Sequence, residues 1–168
     1  MDKGKTIKQA FLMLGDNSVF NDNKSDKYKV ADELLEEVLD TVAMETDFLF
    51  NSITTKLKSI GKNELGEYRF NVPIDYLNII RTKDECRLEG EFLYSQSSEL
   101  YIQYCRKIPL SEYPDSMFNV VVTMLAMNIA TAFNAYNDRY SLLQQKFEEA
   151  KRKMIYQQGY QFNPWGDK

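Results

Sequence analysis

Between Asp115 and Asp138 the chain carries no charged residue. At roughly 100° per residue, Phe118, Val121, Val122, Leu125, Ile129, Ala132 and Phe133 fall on one side of a helix. The other side is mixed: Asn119, Thr123 and Asn134, with Val120, Met124 and Met127 between them. A helix that is apolar nearly all round is buried on nearly all sides. The pattern predicts a helix near 114–135 that is either central to the core or also meets a neighbouring subunit. The run has the length of a membrane span. Its Asn and Thr residues, and the lack of flanking Lys/Arg clusters, argue for a core helix and no membrane. Ala126, Ala130 and Ala132 allow close helix approach.

Three more helices follow from the same period. Near 6–15, Thr6-Ile7-Lys8-Gln9 fits a capping box, Ile7, Ala10, Phe11 and Leu14 form a stripe, and Gly15 is a natural stop. Near 25–48, starting at Ser25 or Asp26, Ala31, Leu34, Leu35, Val38, Leu39 and Val42 share a face. Near 138–158, Tyr140, Leu143, Phe147, Ala150 and Met154 are spaced as a coiled-coil-like seam. From about 52 to 108 the period shifts toward two. Tyr68, Phe70 and Val72 alternate with charged and polar residues and stop at Pro73. Phe92 and Tyr94, then Leu100, Ile102 and Tyr104, repeat the alternation. We expect an antiparallel sheet of three to five strands inserted between helices. The fold class is therefore α+β: a bundle of about four helices with a small inserted sheet. The length of 168 residues suits one domain, 1–168. An extended aromatic tail, 159–168, holds the only tryptophan.

The net charge of −4 gives no sign of an electrostatic grip on nucleic-acid phosphates. There is no histidine, hence neither the commonest metal ligand nor the usual general base. No phosphate loop, dinucleotide-binding glycine pattern or Cys-x-x-Cys pair occurs. Nothing behind Met1 reads as a secretory signal, so Cys86 and Cys105 are expected to be free thiols in an intracellular chain. Glu33, Glu36, Glu37 and Asp40 form an acidic face on the second helix. A solvated helix face is the simplest reading, a cation site lacks convergent ligands, and a third reading is a face met by basic residues of a neighbouring subunit. No cofactor, metal or catalytic residue is expected.

Taken in order, the elements resemble the tail tubular, or head-to-tail adaptor, proteins of short-tailed bacteriophages. The resemblance rests on Ala10-Phe11-Leu12-Met13-Leu14-Gly15-Asp16; on Tyr68 with Val72-Pro73-Ile74-Asp75-Tyr76-Leu77; on Leu100-Tyr101-Ile102-Gln103-Tyr104; and on Pro114, Phe118, Val121, Leu125-Ala126 and Ala130. It implies a structural virion protein, assembled in the host cytoplasm and placed in the neck. Copies would form a ring, commonly a dodecamer, beneath the portal protein. That ring would extend the DNA channel without sequence-specific binding and carry further tail proteins. It implies no enzyme activity. Asn119, Thr123, Met124 and Met127 are the candidate subunit contacts. Tyr160, Phe162, Pro164 and Trp165 form a candidate arm for a partner pocket, since aromatics dominate interface energetics. The alternative function is a non-catalytic helical interaction module that uses its acidic face.

Overall fold

The computed structural model describes residues 1–20, 25–45, 48–134 and 137–158. The fold is α+β, with four helices and short antiparallel strands. The chain forms two compact units. The helical one combines Met1–Val42 with Ile108–Gly159, and Ala43–Lys107 form the other. The sheet insert expected near 52–108 is thus a unit with its own core.

Helix α1 spans Lys3–Met13, starting earlier than the expected Thr6. Asp2 is the N-cap, and its carboxylate accepts from the Lys5 N–H at 2.7 Å. A carboxylate at this position satisfies an orphan donor and suits the positive helix end. Thr6 is buried inside the first turn, its hydroxyl donating to the Asp2 carbonyl at 2.7 Å. At the other end Gly15 takes φ +76°, while its N–H reaches Leu12 O and that of Asp16 reaches Phe11 O, both at 2.9 Å. This paired closure needs a left-handed residue. The Arg139 guanidinium sits 2.8 Å from where a Gly15 Cβ would lie, so a side chain there meets both strain and a clash.

Helix α2, Asp26–Met44, begins at Ser25, whose hydroxyl accepts from the Tyr28 N–H at 3.3 Å. It buries Ala31, Leu35, Val38, Leu39 and Val42, with Leu34 half-buried. It ends before the expected residue 48, where the Phe48 N–H turns back to the Glu45 carbonyl. Helix α3, Phe118–Phe133, follows a 3-10 turn at Asp115–Met117 and closes on Asn134 at φ 51°. With that turn it is long and apolar enough to cross a membrane. It packs against α1 and against α4, Tyr140–Gln158. Val121, Val122, Leu125 and Ile129 are buried as the period predicts, and so are Val120, Thr123, Ala126 and Ala130. Ala132, expected on the core side, is exposed at the last turn. Burying each large side chain contributes about 1.5–3 kcal/mol. On α4 the seam holds at Leu143 and Met154, which are buried, and at Phe147 and Ala150, which are half-buried; Tyr140 is exposed.

In the sheet unit the strands divide into two sheets, where one was expected. Strands β1 (Ser52–Lys58), β4 (Tyr76–Thr82) and β7 (Glu99–Arg106) pair in the order β1-β7-β4. Strands β2 (Gly61–Lys62), β3 (Tyr68–Asn71), β5 (Arg87–Glu89) and β6 (Phe92–Ser95) pair as β2-β3-β6-β5. The core side is the one foreseen on β3 and β7, but on β6 it is Leu93 that is buried, while Phe92 and Tyr94 of the expected alternation are half-buried on the other side. Phe70, Leu93, Leu100, Ile102 and Tyr104 from both sheets share one buried cluster, flanked by Leu57, Tyr76, Ile79 and Cys86.

Asn51 closes this unit. Its buried amide nitrogen donates to Ala43 O and to Arg106 O, each at 2.9 Å, and Arg106 returns its N–H to Asn51 O at 3.1 Å. The first and last turns of the insert are thereby held on one side chain.

Two substitutions test this packing. Val121→Asp places a charge at a fully buried site and should cost more than about 4 kcal/mol, read as loss of a cooperative thermal transition. Asn51→Leu strands two carbonyls and should lower stability by about 1–3 kcal/mol in urea titrations.

Candidate functional site

The acidic face of α2 is largely open to solvent. Glu33, Glu36 and Glu37 are exposed and Asp40 is half-buried. On the neighbouring face Asp32 pairs with Lys3 of α1 at 2.7 Å. Tyr113 approaches from below and donates its hydroxyl to Leu39 O at 2.7 Å. Burial, reinforced by the Asp40 and Glu36 charges, holds that phenol well above its ordinary range. Among the described residues no three Cys, Asp or Glu side chains converge as a metal site.

The four α3 positions read as subunit contacts have different fates. Asn119 is exposed, and Met124 and Met127 are half-buried. Thr123 is only 2% exposed. Its hydroxyl donates to Asn119 O at 2.7 Å and lies 3.9 Å from the Met13 sulfur of α1. Thr123 therefore makes its contact inside the chain, because α1 covers that side of α3. A cleft of about 210 Å³ opens beside it, lined by Met13, Asn119, Lys146, Glu149 and Lys153.

The sheet unit carries two further surfaces that periodicity alone did not single out. The first is an open groove of about 620 Å³, lined by Val72, Pro73, Ile74, Tyr76, Leu88 and Phe92 with Asn71 and Glu91 on its rim. Strand β3 ends at Asn71, two residues before Pro73, which cannot donate to a ladder. The following Ile74 is fully exposed. A β-branched apolar residue directly after that proline was the available signal. Opposite, the β5–β6 hairpin turns at Gly90, φ +60°, and presents Leu88 and Phe92.

The second is the outer face of the β1-β7-β4 sheet. Paired residues point to the same side. The register Lys56↔Tyr101, Thr54↔Gln103, Arg81↔Gln103 and Asn78↔Cys105 therefore defines a face opposite the core cluster. One end is covered: Cys105 is buried, and the Asn78 amide donates to Met44 O at 3.3 Å. The other end is open. There Tyr101 lies between the Lys56 and Lys83 ammoniums, 5.4 and 5.1 Å from its ring centre. Lys56 also pairs with Glu99 at 2.5 Å. At the boundary Gln103 is 7% exposed, and its Oε1 has no hydrogen-bond partner.

The two cysteines are free thiols. Burial pushes the Cys105 thiol up to about 11. Burial also raises Cys86, against an opposing Thr82 hydrogen bond. Both are held away from the thiolate that nucleophilic chemistry requires. Tyr104, which donates to Asp75 at 2.9 Å, is pushed up to about 12 by burial and by that carboxylate. The aromatic arm, Tyr160, Phe162, Pro164 and Trp165, lies outside the described residues.

Compared with known proteins, the sequence matches no family model and no curated protein.

The raised thiol and phenol set a pH dependence. In the unfolded chain they ionise near 9 and 10, and in the fold they resist to about 11 and about 12. Their contribution is fully present below the unfolded values and is lost as pH rises through the folded ones. The urea midpoint should fall above pH 9, and Cys105→Ala should make that fall shallower.

Proposed function

We propose that the chain is a structural virion protein, a head-to-tail adaptor whose copies form a ring beneath the portal of a short-tailed bacteriophage. The observation that carries this reading is the plan of the chain. Two helices, a sheet insert and two further helices follow one another in the order that the resemblance implies. The residues of the resemblance fall at positions of structural weight. Ala10, Phe11 and Leu14 are core. Val72-Pro73-Ile74 forms the exposed lip of the sheet-unit groove. Leu100, Ile102 and Tyr104 are the central strand's core face. Val121, Leu125, Ala126 and Ala130 are buried on α3.

The apolar groove of the sheet unit supports an assembling protein, because contiguous apolar patches mark interaction sites. A ring contact is heterologous and closes by rotation. The role needs no cofactor and no catalytic residue. DNA would pass through the channel without base-specific contact, and the chain's acidity favours passage over adhesion. The portal and further tail proteins would take the two ends of the ring. The second reading, a non-catalytic interaction module, is favoured by the exposed acidic face at Glu33, Glu36 and Glu37.

Incubation with a candidate cognate portal protein, followed by size-exclusion chromatography and electron microscopy, tests the first reading. A portal-capped ring is the expected product; a lack of complex under all conditions sinks it. Ile74→Asp changes a fully exposed residue and should shift stability by less than about 0.5 kcal/mol. It should nonetheless weaken portal-ring assembly. Met127→Lys should likewise leave a folded chain but impair assembly.

A further inference from the structure

We infer that the outer face of the β1-β7-β4 sheet of one copy receives the acidic face of helix α2 from a second copy. This deepens the ring reading, since it names the two surfaces that meet.

The sheet face is basic in an acidic chain. Strand register puts Lys56 and Lys58 of β1 and Arg81 of β4 on this side, and Lys83 follows in line, its N–H donating to Tyr101 O at 3.0 Å. Glu99 is the one acidic side chain among these strand positions, and it is already paired with Lys56. Lys56, Lys58 and Lys83 are exposed and Arg81 is half-buried. At the boundary with the covered end, Gln103 is more than nine-tenths buried, so the basic side chains stand at the open end of the face.

The opposing surface has the matching sign and span. Glu33, Glu36 and Glu37 are exposed, and Asp40 follows one turn on. Seven helical residues rise about 10 Å. Three paired strands cover about 10 Å from β1 to β4. One helix laid along the inter-strand direction can thus set acids over both basic edges. The two surfaces lie on different parts of the chain, so the contact is head-to-tail and repeats from copy to copy. Opposed charges at such a face chiefly set orientation and association rate.

Two full-length variants test the contact. One carries Glu33→Lys, Glu36→Lys and Glu37→Lys; the other carries Lys58→Glu, Arg81→Glu and Lys83→Glu. Circular dichroism checks that each folds, and sedimentation velocity at low and high salt reads association. The wild type should self-associate at low salt and dissociate at high salt. Each variant alone should associate at least tenfold more weakly, and an equal mixture of the two should regain association, since every reversed face then finds its complement. The proposal is overturned if the wild type does not associate at low salt, or if neither variant weakens association, or if the mixture fails to regain it. Portal-ring assembly, measured separately on the wild type, judges the ring reading: assembly with variants that behave as wild type leaves the ring standing on another face.

Discussion

The register of β7 between β1 and β4 is the constraint on which the sheet unit depends. A strand alternates its side chains with period two, so one slip of register exchanges the faces. On β7 that exchange would carry Leu100, Ile102 and Tyr104 out of the shared core and put Tyr101, Gln103 and Cys105 into it. A buried cluster of apolar residues would then receive an amide and lose three of its largest members. The cost locks the pairing, and the pairing in turn decides which lysines lie together. Lys56 and Lys83 flank Tyr101 only because both neighbouring strands keep this register.

Much of this was visible in the chain before any coordinates. The stripes on α1 and α2 are buried as their spacing requires, and the alternation at Phe70 and at Leu100 to Tyr104 marks core positions. The misses have local physical causes. The start of α1 shifted because Asp2 offers a charged cap upstream of Thr6, and the threonine hydroxyl then serves inside the helix. Val120 and Thr123 are buried despite lying on the mixed side of α3, because α1 packs there. No period within α3 encodes what a distant helix will cover. The division into two sheets was illegible for a similar reason: alternation reports which side of a strand is wet, not which strand lies next to it. The groove beside Ile74 arises from a strand end and a hairpin tip, brought together by pairing β3 with β6 and β6 with β5.

Two faces of this protein carry segregated charge. Exposed carboxylates gather on α2, and exposed ammoniums on the outer side of one sheet. Such separation has little effect on the stability of one chain, since exposed pairs contribute a few tenths of a kcal/mol each. It has large effects on how copies approach one another, because like faces repel and unlike faces attract. Hydrophobic patches such as Ile74 and Leu88 then supply contact area once orientation is set.

Asn51 has a further consequence for the insert. A single side-chain nitrogen binds the carbonyls at Ala43 and Arg106, so both ends of a 43–106 segment are tied at one point. The whole insert is a closed loop whatever its internal length. Loop-closure entropy grows only slowly with length, and here the closure is already made. Residues far from the clasp, such as the 63–67 turn, can lengthen, shorten or be replaced without breaking the closure. The insert is in effect a cassette: a module with its own core, entered and left through one clasp.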